Sequence, residues 1–290
     1  MKVNTFTSAN MLLNRIEPIL LQNEAANNLM IGLLFELKKQ EEKGDSISNN
    51  YMYEIEDSSG RHLLAVLISS LKNAVIAGEY GAGAEQAIGL CVDRIYADGA
   101  PINGVVGPNE LAAAFSAQWA AHNRQQPILT MKQRIYRLDR VERLEQGTGE
   151  LRQAARSDLE LAAEWICQFA EYTGSMAPYE KAIARAQEQI DSGTLYFWQN
   201  GRGEAVSMAK KTRPSANGVV VTNVYTPPRF RNQGYATACV AALCRKLLGE
   251  GYSFCSLYTD LSNPTSNGIY TKIGFQPVQD SYMFRFGEMG

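Results

Sequence analysis

Val219-Val220-Val221-Thr222-Asn223-Val224-Tyr225-Thr226-Pro227-Pro228-Arg229-Phe230-Arg231-Asn232-Gln233-Gly234-Tyr235-Ala236-Thr237 decides how the rest of the chain is read. Val219 to Val224 are apolar or β-branched except Asn223, which suits a buried strand. Pro227-Pro228 must end it, because proline brings no N–H to a ladder. Beyond the turn, Ala236, Cys239, Val240, Leu243 and Leu247 recur at helical spacing, Arg245 and Lys246 fall in the last turn, and Gly249 or Gly251 supplies a stop. The order is strand, glycine loop, helix.

A loop of this kind points free backbone N–H groups and the positive end of a helix at one spot, which suits a phosphate. Gly234 lets the backbone approach closely, Ala236 keeps the helix start uncrowded, and Arg229 and Arg231 add positive charge. Taken alone, the stretch reads equally as a plain tight turn. Its neighbours separate the two readings.

Arg231, Gly234 and Ala236 match the pattern Gln/Arg-x-x-Gly-x-Gly/Ala, and the stretch resembles the acetyl-CoA loop of the GNAT superfamily of N-acetyltransferases. A second landmark of that family follows at the expected distance. Asn263-Pro264-Thr265-Ser266-Asn267-Gly268-Ile269-Tyr270-Thr271-Lys272-Ile273-Gly274-Phe275 is similar to its fourth helix, which starts near an Asn, carries a Tyr seven residues on and ends in Gly-Phe.

The resemblance implies acetyl-CoA as cosubstrate and direct transfer of the acetyl group to a primary amine of a small molecule or peptide. It implies that the backbone of Val224, Tyr225 and Thr226 pairs with the pantetheine arm, and that Arg231, Asn232, Gln233, Gly234, Tyr235, Ala236 and Thr237 hold the pyrophosphate. Asn263 contacts the cofactor in this scheme, although it also suits a helix cap, as Pro264 suits a first turn and Gly274 a stop. Tyr270, two helical turns from Asn263, is the expected general acid: a phenol near pKa 10 is protonated at neutral pH and can serve a departing thiolate. It equally suits packing beside Ile273 and Phe275. The first two helices of the domain and their loop form part of the family's acceptor site, which makes Glu171, Tyr172 and Tyr179 candidates for substrate contact. The general base is not legible; Glu171 and Asp260 are the candidates. The alternatives are transfer of another acyl group from its CoA ester, and an acyl-CoA-binding sensor or scaffold without chemistry.

At 290 residues the chain has room for two domains of about 140 residues each. With 45% hydrophobic and 20% charged residues it reads as ordinary and globular, and a formal charge of -2 gives no overall attraction to nucleic acid or an anionic membrane. Cys91, Cys167, Cys239, Cys244 and Cys255 have neither metal nor disulfide spacing and read as reduced core residues. His62 and His122 have no acidic or thiol cluster nearby, so no metal site is expected. Met1 to Glu17 lacks a basic segment followed by an apolar run, and nothing reaches the roughly 18 apolar residues of a membrane span. The cytoplasm is the expected location, and the oligomeric state stays open, a homodimer included.

In order along the chain, Leu12 to Leu37 suits one or two amphipathic helices, interrupted at Gln22 to Asn28. Glu41 to Asn50 suits a loop, and His62 to Ser69 and Leu71 to Ala77 suit strands. Gly78-Glu79-Tyr80-Gly81-Ala82-Gly83 precedes a helix over 84–97. A strand over Ile102 to Val106, a helix carrying Leu111, Phe115 and Trp119 on one face, and a strand over Ile128 to Leu138 follow. This order parallels the second half, so a degenerate tandem copy of the same fold is expected over 1–141. Gly78 stands there where the pattern has Arg or Gln, and Trp119 lies in the helix that would carry the tyrosine. Gln86 at the third glycine position excludes a dinucleotide fingerprint.

A charged linker is expected at 142–149, then a GNAT-like catalytic domain over 150–290. That domain opens with a strand over Leu151 to Ala155, a capping box at Ser157 to Glu160, a helix with Leu161, Trp165 and Phe169 on one face, and a helix over 180–190. Strands over 195–198, 205–211 and 219–224 form a meander, and Ser253 to Thr259 runs parallel to the last of them by the right-handed crossover rule. Pro277 to Phe286 completes the sheet. The fold class is α+β, a mixed sheet in two tandem GNAT-like domains, the first degenerate.

Overall fold

The computed structural model describes residues 1–142, 148–176 and 178–288. Arg143 to Gly147, most of the expected linker, lie outside the described residues. The chain divides into two compact units, one built from Met1–Ile135, Thr259–Asn263 and the residues from Pro277 onward, the other from Tyr136–Tyr258 and Pro264–Gln276.

The first unit runs β1 (Lys2–Phe6), α1 (Ala9–Leu20), α2 (Glu24–Glu42), β2 (Tyr51–Glu56), β3 (His62–Ile68), β4 (Asn73–Gly78), α3 (Ala84–Ala97), β5 (Gly104–Pro108) and α4 (Asn109–Asn123). β6 (Gln125–Leu138) then carries the chain into the second unit. Strand alternation explains the two layers of helix. Met52, Ala65, Leu67 and Val75 face Leu12, Leu13, Ile16 and Leu34 of α1 and α2, while Tyr53, Ile55, Leu64 and Val66 face Ile88, Cys91, Val92 and Phe115 of α3 and α4.

The second unit repeats the order with β7 (Gly149–Gln153), α5 (Leu159–Tyr172), α6 (Tyr179–Asp191), β8 (Leu195–Asn200), β9 (Ala205–Thr212), β10 (Gly218–Tyr225), α7 (Tyr235–Gly249), β11 (Phe254–Asp260) and α8 (Pro264–Ile273), before β12 (Gln276–Glu288) ends the chain. Trp165, Ile166, Ala182 and Ala186 of α5 and α6 cover Leu195, Phe197, Met208 and Tyr225. Val219, Val221, Cys255 and Leu257 face Cys239, Val240, Leu243 and Leu247 of α7, with Tyr270 and Ile273 of α8. β7, β8, β9 and β10 form an antiparallel meander, and β11 pairs parallel to β10.

Several details differ from the reading of the sequence. The break between the first two helices is confined to a 3-10 turn at Leu21–Asn23, and β1 and β2 lie where no strand was expected. The cap before α5 is Asp158 rather than a Ser157 to Glu160 box: its carboxylate accepts from the Ala155 N–H at 2.7 Å and is gripped by the Arg152 guanidinium at 2.6 and 2.8 Å. An acidic side chain at that point answers both an orphan N–H and a cation, which a serine cannot do. The last strand also departs from expectation. β12 pairs antiparallel with β5, from Ser281↔Pro108 to Arg285↔Gly104. Tyr282, Phe284 and Phe286 alternate onto the apolar cluster under α3 and α4, and Arg134 of β6 grips Asp280 at 2.6 and 3.0 Å. The apolar face of β12 is therefore buried in the first unit.

Candidate active site

The site begins with an irregularity in β10. Pairing with β9 runs in register from Val220↔Thr212 to Thr222↔Lys210, then shifts to Tyr225↔Met208, so that Asn223 and Val224 together stand opposite Ala209. Asn223 adopts φ +50°. This is a β-bulge of two residues against one, and asparagine is among the few side chains that tolerate its left-handed backbone. On the other edge, parallel pairing with β11 runs from Gly218↔Phe254 to Val220↔Ser256, the same extent as the pairing of β4 with β5 from Asn73↔Gly104 to Val75↔Val106. Beyond this pairing Val221 to Tyr225 and Leu257 to Tyr258 continue as the two arms of a fork, without a further register pair between them. The bulge lies on β10 just beyond the last pair with β11.

The turn after β10 leads to α7. Pro228–Phe230 forms a 3-10 turn, Asn232 adopts φ +62°, and Gly234 caps α7 with φ +78° and no side-chain hydrogen bond to the helix. The first-turn N–H groups of a helix have no intrahelical acceptor, so this end stays bare and electropositive. A Cβ on Gly234 would meet nothing within 4 Å, so the loop is open at this glycine. Asn232, Gln233, Gly234, Tyr235, Ala236 and Thr237 thus share one turn and one direction of approach.

Arg231 and Arg229 flank the turn. The Arg231 Nε donates to the Thr226 carbonyl at 3.0 Å, and its guanidinium lies 4.9 Å from the centre of the Tyr172 ring and 6.0 Å from that of Tyr225. This brings Tyr172, at the end of α5, beside Tyr225 at the end of β10. Arg229 lies against the Phe230 ring and 3.9 Å from the Glu204 carboxylate. The Thr226 hydroxyl lies 2.9 Å from the Ser207 hydroxyl, which also donates to the Tyr225 carbonyl at 3.2 Å.

Tyr225 is buried against Trp165 and Phe169, and its hydroxyl donates to Gln168 Oε1 at 2.9 Å. Burial pushes this phenol up, partly offset by the Arg231 guanidinium, while Glu164 and Glu171 add to the rise. Glu171 therefore stands in the neighbourhood of Tyr225. Tyr179, half exposed at the start of α6, makes no described contact with that group.

Tyr270 is buried in the cluster under α7, edge-on to Phe275 with ring centres 5.9 Å apart. Burial pushes its phenol well above the usual value of about 10, and the Cys244 thiol adds to the rise. The phenol therefore stays protonated throughout the neutral range. α8 is anchored by the Tyr136 hydroxyl, which donates to Asn267 Oδ1 at 3.1 Å. Asn263, just before α8, belongs to the segment that groups with the first unit, and its N–H donates to the Asp260 carbonyl at 3.0 Å.

The first unit has a loop of the same shape with different surroundings. Gly83 caps α3 at φ +86°, also without a side-chain bond, but a Cβ there would lie 2.7 Å from the Cε of Met1, whose side chain covers the loop. Glu85 sits in the first turn of α3, held by the Tyr80 hydroxyl at 2.5 Å and the Gln118 amide at 2.6 Å. A carboxylate there repels a phosphate. β4 pairs with β3 without a bulge, and Ile76 lies directly against the backbone of Gly107, where a Cβ would come within 2.3 Å of its side chain. Trp119 fills the position expected of a tyrosine, donating to Gln125 at 3.1 Å and lying near Phe115 and Phe286.

Asn223, Gln168 and Ser207 were not singled out from sequence. Asn223 had a visible signal, as the single polar break in an apolar strand; Gln168 and Ser207 had none, because their roles depend on partners 57 and 18 residues away. All five cysteines are free, four of them buried, and burial pushes the Cys239 thiol up to about 12. Among the described residues no helix is long and apolar enough to cross a membrane, and no three His, Cys, Asp or Glu side chains cluster as metal ligands.

Comparisons with known proteins agree with this architecture. The chain superposes over 99% of its length on all of an acetyltransferase from the GNAT family of Colwellia psychrerythraea, with a TM-score of 0.59 at 12% identity. It covers 98% of a Drosophila protein, itself covered to 98%, at a TM-score of 0.65 and 10% identity. It also aligns over 100% of its length with 99% of a tandem GNAT protein from the clavulanic acid biosynthesis pathway, at a TM-score of 0.55 and 11% identity. At such identities the likeness establishes the fold, a mixed sheet in two GNAT-like halves. No curated protein sequence matches the chain. The class is nevertheless defined: the chain is an acyltransferase. Residues 159–275 match the model of the acetyltransferase (GNAT) family, and the second half of the chain is a GNAT acetyltransferase domain.

Proposed function

We propose that the chain is an acetyl-CoA-dependent N-acetyltransferase that moves the acetyl group directly to a primary amine, with residues 150–290 as the catalytic domain and 1–141 as a degenerate, silent copy. One contrast carries this reading. In the second unit β10 carries a bulge before the turn to an uncapped helix whose glycine has open space beside it, whereas in the first unit the strand is regular, Ile76 lies against Gly107, and Met1 and Glu85 stand at the loop.

In this reading the pyrophosphate of acetyl-CoA sits on the N–H groups of Asn232 to Thr237. The pantetheine arm lies along Val224 to Thr226 like an added strand, and a backbone N–H turned out by the bulge faces the thioester oxygen. The amine nitrogen attacks the thioester carbon, the C–S bond breaks, and the thiolate takes the Tyr270 proton. The proton lost by the amine restores the phenol directly or through water, so the step balances. The same burial that keeps Tyr270 protonated also disfavours a free thiolate, which holds donor and acceptor of this proton closer in affinity. Glu171 and Asp260 stay candidates for the base. Buried free thiols support action in the reducing cytoplasm.

Calorimetric titration with acetyl-CoA tests the proposal. One site per chain is expected, followed by release of free thiol when amines are added. Two sites would restore the loop at Gly78 to Gly83 as a ligand site, and no binding would remove the transferase reading. Binding without thiol release for any amine would favour a sensor.

A further inference from the structure

The face of the second unit's sheet that carries α5 and α6 also bears, at the fork, a group of side chains that the donor site does not use. Register places Lys210 beside Thr222, Thr212 beside Val220 and Val220 beside Ser256, and alternation adds Tyr258 to the same face. Arg213 follows at the end of β9. Ser256 stands at the vertex of the fork and Tyr258 on one of its arms.

Arg213 is unusual in three independent ways. Its backbone is left-handed at φ +45°, a strained conformation for a side chain of this kind. Its Nε is buried and donates to no acceptor among the described residues. Its guanidinium lies 5.5 Å from the centre of the Tyr258 ring, and no carboxylate among the described residues forms an ion pair with it. Buried cations are normally paired, because desolvation without a partner is costly. Burial lowers the pKa of Lys210; among its charged neighbours the Glu188 carboxylate of α6 opposes this most, while Arg185 and then Arg213 add to it. The Ser256 hydroxyl is buried and unpartnered as well.

We propose that Arg213, Lys210 and the Ser256 hydroxyl bind an anionic group of the acceptor, so that the amine acetylated by this chain carries a carboxylate. The inference rests on the transferase reading above and names its substrate class. A guanidinium edge offers two parallel donors matched to the two oxygens of a carboxylate, and the serine hydroxyl adds a third. The anion is held on the face opposite α7, next to the fork vertex. An amino group a few bonds away would then reach the thioester from the acceptor side, while Tyr270 stands on the α7 side with the leaving sulfur.

The experiment compares the twenty amino acids with their amides, and phosphoethanolamine with ethanolamine, by thiol release from acetyl-CoA. Donor binding is measured calorimetrically on the same preparation, so failure of the transferase reading shows as absent donor binding and stays distinct. Expected are a preference of at least about tenfold for the carboxylate member of a pair, and a rise of roughly 10- to 100-fold in its KM in Arg213→Ala, the effect of removing one charged hydrogen-bonding group. The KM for acetyl-CoA should stay within about twofold, carboxylate-free amines should be unaffected, and Arg213→Lys should restore part of the preference. A role in packing alone would not move the ratio between acid and amide. Equal use of both members, preference for the amide, or preference for phosphoethanolamine overturns the proposal. Should donor bind but no pair be turned over, the acetyl-CoA-loaded chain is titrated with glutarate. Binding lost in Arg213→Ala supports the proposal, and absence of Arg213-dependent binding overturns it.

Discussion

The two helix-capping glycines offer a controlled comparison. Gly234 and Gly83 hold nearly the same left-handed backbone, φ +78° and +86°, and each begins a helix without a side-chain cap. Replacing either by alanine imposes the same conformational strain of about 1–2 kcal/mol. With a fall of about 2–4 °C per kcal/mol for a domain of this size, each variant should melt roughly 2–8 °C lower. The new methyl meets different surroundings. At Gly83 it comes within 2.7 Å of the Met1 Cε, the flexible end of a side chain that can swing aside, so little strain is added. At Gly234 it enters open space, on the loop proposed to seat the phosphate. A phosphate oxygen must come within about 2.9 Å of the nitrogens of that loop, and a methyl in its path pushes it outward. Gly234→Ala should therefore weaken acetyl-CoA binding at least about tenfold, or 1.4 kcal/mol, while Gly83→Ala leaves it unchanged. Thermal unfolding and calorimetric titration of the two variants supply both numbers. Equal loss of donor affinity in both, or none in either with the melting shifts present, would refute the assignment of the donor phosphate to the second loop.

Three further outcomes are expected. Tyr270→Phe should lower turnover by about 10²- to 10⁴-fold at unchanged acetyl-CoA affinity, in steady-state kinetics and calorimetry respectively; unchanged turnover would leave Tyr270 a packing residue. Asp158→Ala should cost about 1 kcal/mol or somewhat more in urea unfolding, since it removes the cap on Ala155 and frees Arg152, an ion pair that partial exposure already screens. His62 is buried against Glu54, which Arg15 also engages; burial lowers its pKa, opposed by Glu54 and assisted by Arg15. The folded state then binds fewer protons than the unfolded one, so stability should be full above about pH 6.5 and fall as pH drops below that unfolded-state value. His62→Gln should flatten this slope between pH 7 and 5.5, and an unaltered slope would assign it to other groups.

The elements legible in the sequence were those whose apolar period is clean. The helix expected over 84–97 is Ala84–Ala97, and the strand read from Val219 to Val224 is Gly218–Tyr225. β2 was hidden because Glu54 and Glu56 interrupt its alternation; both carboxylates engage Arg15 from α1, and a pairing 39 residues away leaves no local trace. The partner of β12 was hidden for a related reason. Its alternation of Tyr282, Phe284 and Phe286 says that one face is buried, but an apolar face does not name the core that receives it. Gly234 could be read as part of the candidate site, since positive φ and glycine go together. Arg213 could not, because an arginine after a strand looks like any solvated turn until its backbone and its missing partner are seen together.

The bulge at Asn223 is where the two copies differ along this strand. A parallel pair bounded by an antiparallel neighbour keeps its spacing as long as the neighbour's ladder is regular, as it is from Leu64↔Gly78 to Ile68↔Ala74 in the first unit. There Ile76 rests on Gly107, and the glycine accommodates the close approach. In the second unit the ladder gains a residue on β10, and the extra length must be absorbed as a bend. The same residue that spoils the apolar pattern of Val219 to Val224 is thus part of the bulge, placed between the last pair with β11 and the glycine turn. The helix end is uncapped in both copies; what the first copy lacks is the bulge and a loop free of neighbours, since Met1 lies against Gly83 and Glu85 stands in the first turn of α3.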